Sequence, residues 1–246
     1  MPGPGQAAGH VSGSKTMPRK QSRSLPVSQC AQAPTPELQR WIEAKNPGNF
    51  DQYMTRIAAY GGAPVGGSLI QVVLRGNSSQ PIAITCIQVV KYCRPPLTGT
   101  LLYSPSAGEM NDITIGFNLD QKFSPAQFWK SGIGTFYGNY FAGKIIVLDQ
   151  GEIATLAIEA QTARQSCSFS FILIIDYGAR RIQESINHHG QPFLTTAPTY
   201  PTGGGVPSPI VGFSDFKEIY AGGVSLTNSN GPYLKVNPKT FNGQGP

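Results

Sequence analysis

The sequence predicts an all-β protein: an antiparallel β-sandwich of about eight strands, immunoglobulin-like or jelly-roll-like, with one or two short N-terminal helices and disordered termini. Three observations predict this class. Short apolar runs alternate with polar residues between positions 67 and 196, separated by turn residues. Glycine (29) and proline (21) are frequent. Charged residues make up 13% of the chain, about half the globular norm of ~25%.

The first 34 residues predict a disordered basic arm, because Gly, Ser, Pro, Gln and Ala dominate them and no core can form there. Four basic residues precede the first acid, Glu37, and so carry four of the six net positive charges: Lys15, Arg19, Lys20 and Arg23. One interpretation is an arm that contacts phosphates or an anionic lipid surface. The other is a solvated leader, which the wide spacing of the charges favours.

Residues 35–66 predict a short helical lead-in. Thr35 can cap a helix whose first turn holds Pro36. Leu38, Trp41 and Ile42 then share one helical face. A second helical stretch is predicted over residues 51–59.

Residues 67–196 predict the β-sandwich domain, and residues 197–246 a Gly/Pro-rich tail that is mostly irregular. The second strand is expected to pair with the first as a hairpin and to place Ile82, Ile84 and Cys86 on one face. The third continues the meander, and the seventh, apolar on both faces, is expected to be central with the eighth as its neighbour. The predicted strands span 69–74, 81–90, 97–102, 113–119, 144–148, 153–160, 167–177 and 179–186.

An aromatic, glycine-broken loop is predicted over residues 122–143. It holds seven aromatic residues: Phe123, Phe128, Trp129, Phe136, Tyr137, Tyr140 and Phe141. One interpretation is a binding face that stacks on a sugar or packs against a partner, with Trp129, Phe136, Tyr137 and Tyr140 as the contact residues. The other is a loop that plugs an open end of the sandwich. The binding interpretation requires at least two exposed rings.

The four cysteines allow three disulfide pairings, and none forms a metal-ligand spacing. We expect a disulfide between Cys93 and Cys167, linking the two sheets, because one residue ends a predicted strand and the other begins the central one. Cys86 lies seven residues before Cys93 on the same strand and is expected to be a buried thiol.

No recognisable active site is present, and no cofactor or metal is expected. His188 and His189 are adjacent and would point to opposite sides of an extended segment, so a turn near a strand end is the favoured interpretation. The glycine-rich stretch 132–138 lacks the Lys-Ser/Thr of a phosphate loop, and no GxSxG motif occurs. Three acids lack a nucleophile at a recognisable turn: Asp112, Asp120 and Asp176.

Residues 1–30 contain no apolar stretch of the kind found in export signals, and no apolar run reaches the ~18 residues of a membrane span. We therefore expect either a cytoplasmic protein or a start that lies further upstream.

Several short segments between about residue 68 and residue 196 resemble an uncharacterised actinobacterial family of extracytoplasmic β-sandwich domains. They are residues 95–103, Gly108-Glu109, residues 115–120, Phe141 and Ile145, residues 147–152, a lone Cys167 at the central strand, and residues 189–193. Members often follow a transmembrane helix, and some carry a helix-turn-helix domain. This chain shows no spanning helix, its N-terminal segment is unlike a helix-turn-helix, and its tail is additional.

The resemblance implies a non-enzymatic sensor or interaction domain at the cell envelope, with an unknown protein or envelope component as partner. Two other classes stay open. A basic arm before about eight strands also occurs in shell or coat-type proteins. A hydrolase whose site forms only in three dimensions is the third alternative.

Overall fold

Seventeen helices and strands build the structure, a computed structural model that describes residues 28–30, 34–44, 50–103, 115–130, 135–198, 212–222 and 233–243. The helices are α1 (Pro36–Ile42) and α2 (Phe50–Ala59). The strands before residue 131 are β1 (Ser28–Cys30), β2 (Ala63–Pro64), β3 (Gly67–Arg75), β4 (Ile82–Arg94), β5 (Thr100–Tyr103), β6 (Ile115–Asn118) and β7 (Gln127–Lys130). The remaining strands are β8 (Thr135–Tyr137), β9 (Ile146–Leu148), β10 (Ile153–Gln161), β11 (Ser166–Tyr177), β12 (Arg180–Ile186), β13 (Phe193–Thr196), β14 (Glu218–Ala221) and β15 (Leu234–Val236).

Two of the three sheets form the predicted sandwich. The front sheet has the order β12-β11-β4-β9, with β13 also on β11, and the back sheet has the order β3-β10-β6-β7-β8. Their facing sides share one apolar core, whose largest members include Phe117, Phe169 and Phe171. Pairing is antiparallel except between β10 and β6 within these two sheets. The all-β sandwich class is therefore confirmed.

The third, terminal sheet has the order β15-β14-β5-β1-β2 and contains three short strands that the sequence did not predict. β1 lies at the end of the stretch expected to be a disordered arm, and β14 and β15 lie in the tail expected to be mostly irregular. One side of this sheet packs on the helices through Leu38, Ile42 and Ile57. These strands are short, and their β-partners lie far away in the chain, so local periodicity gives almost no signal for them.

The predicted first helix is confirmed, together with its cap. Thr35 Oγ1 accepts a hydrogen bond from the backbone N–H of Leu38 at 3.2 Å, and Pro36 occupies the first turn. Leu38 and Ile42 are buried beneath the terminal sheet.

The predicted β3–β4 hairpin is wrong, because the two strands belong to opposite sheets. β3 pairs with β10, whereas β4 pairs with β11 and β9. The 76–81 connection crosses the end of the sandwich, and Gly76 anchors it by exchanging backbone hydrogen bonds with Gly151 and Glu152. Two strands with apolar inner faces bury more surface by facing each other across a core than by pairing edge to edge. The predicted continuation of the meander is also wrong, since β5 lies in the terminal sheet.

A β-bulge at Thr85 changes the faces predicted for β4. The pairing with β11 shifts there, so that Ile84 and Ile87 are both buried although they are three residues apart. Cys86 consequently lies on the opposite face from Ile84, and the predicted shared face does not extend beyond the bulge. An extra residue in one strand reverses the alternation of all the residues that follow it.

Candidate ligand-binding site

A cleft of about 860 Å³ opens between one edge of β4 and the segment that follows β6. Its walls are residues 85–89 and residues 121–126, together with Asn139, Phe141 and Ala142. Five consecutive strand residues line it, and consecutive side chains alternate between faces, so the cleft runs along the strand edge. β9 pairs with β4 only up to Ile84, and beyond that point no described strand covers this edge. The volume lies within the usual range for small-ligand sites, ~300–1,000 Å³.

Two side chains fix the outer wall of the cleft. Lys91 Nζ donates hydrogen bonds to the carbonyl oxygens of Leu119 and Gln121. Burial lowers the pKa of Lys91, and the nearby Asp120 carboxylate partly offsets this effect. Asp120 was a candidate acid in the sequence, and the structure shows that it holds a turn: its carboxylate accepts from Thr162 Oγ1 and from the backbone N–H of Ala163, both at 2.7 Å. The wall at residues 121–126 is therefore tied to both sheets.

The predicted aromatic loop contains a β-hairpin, β7–β8, and then a 3₁₀ turn over Tyr140–Ala142. Asn139 caps this turn by accepting from the N–H of Phe141, and the N–H of Tyr140 donates to the carbonyl of Ala126 at 2.8 Å. The loop prediction missed the hairpin because its strands are short. Residues 131–134, which include Gly132 and Gly134, lie outside the described residues.

The four predicted contact residues lie on two sides of this hairpin. Trp129 and Phe136 pack together on one side, with ring centroids 4.6 Å apart. They cover Gly116, where an added Cβ would lie 2.7 Å from the Phe136 ring. Trp129 is only 5% exposed, so it supports the hairpin, and the prediction of a direct contact is corrected for this residue.

Tyr137 and Tyr140 belong to a second cluster, which we call the aromatic patch and define as Phe128, Tyr137, Tyr140, Phe141 and Lys144. Phe128 stacks on Tyr137 with centroids 5.4 Å apart and planes at 17°, and it meets Tyr140 at 5.0 Å and 48°. The Tyr140 ring contacts Phe141, which lines the cleft, so the patch and the cleft are continuous. Burial raises the pKa of Tyr140.

Two of the seven aromatic rings are exposed, which meets the minimum set from sequence. Phe123, at the cleft, is 82% exposed and Tyr137 is 52% exposed. Tyr140 and Phe141 instead pack in part against the main core, as the plug interpretation expects. The segment combines both roles: it closes the sandwich on one side and presents rings on the other. Partner binding by these rings stays a prediction.

Cys93 and Cys167 lie at disulfide distance, with the Sγ atoms 2.07 Å apart. The expectation that this bond would link the two sheets is wrong. The two residues are directly opposed in the β4–β11 pair of the front sheet, with Cα atoms 4.1 Å apart. Such a distance is typical of non-hydrogen-bonded antiparallel partners. Disulfides persist mainly in oxidising compartments, so the pair points weakly toward one.

Cys86 is free, as predicted, but it is half-buried and lines the cleft, whereas the sequence predicted a buried thiol. Burial raises its pKa, which lowers the thiolate fraction and hence the nucleophilicity of the sulfur.

The remaining candidate residues that the structure describes are not themselves part of the cleft lining, although Asp176 contacts Thr85, which is. His188 and His189 are exposed in a turn closed by two hydrogen bonds between His188 and Gln191, as predicted. Asp176 forms an ion pair with Arg181 at 2.7 Å. Asp112 lies outside the described residues. Among the described residues, no group of three or more metal-ligating side chains comes together.

Glu159 is a buried carboxyl group that sequence reasoning missed, because acidic residues are only rarely buried and a single one in a strand gives no signal of burial. It is 4% exposed, and burial raises its pKa to about 7, although Gln161 donates to it at 3.3 Å. Its other oxygen has no hydrogen-bond partner among the described residues. Glycine at position 67 leaves room for it, since an added Cβ there would lie 2.3 Å from Oε1.

No protein-family profile, curated protein or solved structure matches this chain. Within the described residues, no helix is long and apolar enough to cross a membrane.

Proposed function

We propose that this chain is a non-enzymatic interaction domain of the cell envelope, and that it binds its partner through the cleft and the aromatic patch. The observation that carries the proposal is the continuous surface formed by an uncovered strand edge and the exposed rings of Phe123 and Tyr137. Exposed aromatic side chains beside a concave surface are typical of recognition sites.

Two further observations support the location and the class. The cysteine pair fits an oxidising compartment, and the resemblance described above implies an extracytoplasmic domain. The free thiol in the cleft has a raised pKa, which favours binding over nucleophilic chemistry at that position.

Co-sedimentation with isolated actinobacterial cell envelopes tests this proposal. We expect the wild-type protein to pellet with envelopes, and Phe123→Ser and Tyr137→Ser to reduce the pelleted fraction at least about fivefold, because each removes an exposed ring. Tyr92→Ser is the matched control, since Tyr92 is 74% exposed but lies outside the cleft lining and the patch. Equal loss in all three variants, or no pelleting of the wild type, would contradict the proposal.

A structural shell protein is the second candidate, and one observation favours it. Both outer faces of the sandwich expose large apolar side chains, among them Leu69 and Ile153 on the back sheet and Val90 on the front sheet. Such surfaces can be covered by neighbouring subunits. Light scattering after size-exclusion chromatography separates the two candidates: a particle of many subunits supports the shell, and a monomer or dimer supports the interaction domain.

A further inference from the structure

The geometry points to an alkylammonium group as the chemical group that the aromatic patch recognises, with the side chain of Lys144 occupying the position of that group in this structure. This inference rests on the proposed function, because it names the chemistry of one part of the same binding surface.

The rings of the patch are arranged to converge on a compact charge. The planes of Phe128 and Tyr140 meet at 48°, so the two rings form a wedge, and Tyr137 stacks on Phe128 at 17°. The face of an aromatic ring carries partial negative charge and attracts cations. A sugar, in contrast, stacks best on a flat open ring, and the wedge offers no such plane between these two rings.

Lys144 already places a cation in this wedge. Its Nζ lies 5.1 Å from the centroid of Phe128 and 5.5 Å from that of Tyr140, both within the ~6 Å limit for cation–π attraction. Lys144 is exposed and precedes β9, which begins at Ile146, so its side chain can leave the rings without breaking a strand. A lysine side chain of a partner would meet the same two rings.

Lys235 provides an internal comparison outside the cleft and the patch. Its Nζ lies 5.9 Å from the centroid of a single ring, that of Tyr220 in the terminal sheet. One ring holds a cation less well than two converging rings, so the two lysines separate the effect of the wedge from that of any cation–π pair.

The test is an NMR titration of the full chain with three probes: N-acetyl-lysine methylamide, its Nε-trimethyl derivative, and the neutral tert-butyl isostere. We expect Lys144→Gln to bind both charged probes about two- to fivefold more tightly than the wild type, because the competing ammonium is gone. Lys235→Gln, at a lysine outside the cleft and the patch, should leave the affinity unchanged. Tetramethylammonium is titrated separately. If it binds as tightly as the lysine probes, the natural ligand is a free quaternary amine; if it binds more weakly, the natural ligand is a lysine side chain.

Tyr140 variants check the site itself. Tyr140→Phe keeps the ring and should retain binding, whereas Tyr140→Leu should lose it in a protein whose thermal unfolding is still cooperative. The inference is overturned if the Lys144→Gln variant binds no charged probe, or if it binds the neutral isostere equally well. Envelope co-sedimentation distinguishes this failure from that of the proposed function. If the wild type pellets with envelopes but no variant binds an ammonium probe, the proposed function stands and only this inference is contradicted.

Discussion

The protonation of Glu159 gives the stability of this protein a defined pH dependence. The pKa of this carboxyl is about 7 in the folded chain, above its ordinary value of 4.5, because burial disfavours the charged form. Between these values the unfolded chain has released a proton that the folded chain retains, so the free energy of unfolding falls as the pH rises. The loss is complete above about pH 8 and amounts to roughly 3–4 kcal/mol, since a difference of one in pKa corresponds to ~1.4 kcal/mol.

Urea unfolding at pH 5.5 and pH 8.5 measures this effect. We expect the Glu159→Gln variant to be more stable than the wild type at pH 8.5. Its free energy of unfolding should differ much less between pH 5.5 and pH 8.5 than that of the wild type. Glu152→Gln, at an exposed glutamate beside a turn, should show the same difference between the two pH values as the wild type. A wild type with equal stability at both pH values would show that Glu159 is not protonated in the folded chain.

Asp120 is expected to control the order of the cleft wall. Asp120→Ala removes the acceptor of three hydrogen bonds, from Thr162 Oγ1 and from the N–H groups of Ala163 and Arg164. Leaving these donors without a partner should cost about 2 kcal/mol of unfolding free energy. Amide hydrogen exchange should also accelerate at residues 121–126, and unchanged exchange there would mean that Lys91 alone fixes the wall.

At the level of elements, the β4–β11 pair is the centre of the front sheet, and its disulfide is expected to account for a large share of the stability. Replacing both Cys93 and Cys167 by Ser frees a loop of 74 residues in the unfolded chain, which costs about 4 kcal/mol in the chain-entropy account. Chemical denaturation of the double variant measures this loss, with Cys86→Ser as the control. Thiol titration of the unreduced, denatured wild type should find no more than two thiols, and four would exclude the bond.

The elements also show how far the sequence predicts this fold. Long strands rich in apolar and β-branched residues, such as β3, β10 and β11, are predicted well, and so is α1, whose cap lies in adjacent residues. The bulge at Thr85 cannot be predicted in this way, since alternation looks regular on both sides of it. The same limit applies to the site: the aromatic residues of 122–143 are visible in the sequence, but the strand edge that faces them depends on pairing over long distances in the chain.

For the molecule as a whole, the terminal sheet is expected to be necessary for stability. Truncation after residue 211 removes β14 and β15, and with them the buried side chains of Ile219, Tyr220 and Tyr233. We expect this variant to unfold at a temperature at least about 10 °C lower, since each buried large side chain contributes ~1.5–3 kcal/mol. Truncation after residue 243 is the control. Equal melting temperatures would mean that the sandwich is independent of this sheet.

β5 receives strands from both ends of the described chain. β1 pairs with it on one side in antiparallel orientation, and β14 pairs with it on the other side in parallel orientation. During synthesis, therefore, the middle of the protein can acquire its core while β5 still has an open edge, and that edge stays available to other chains until β14 has left the ribosome. Protection of β5 is thus delayed until well after the strands of the sandwich have been made.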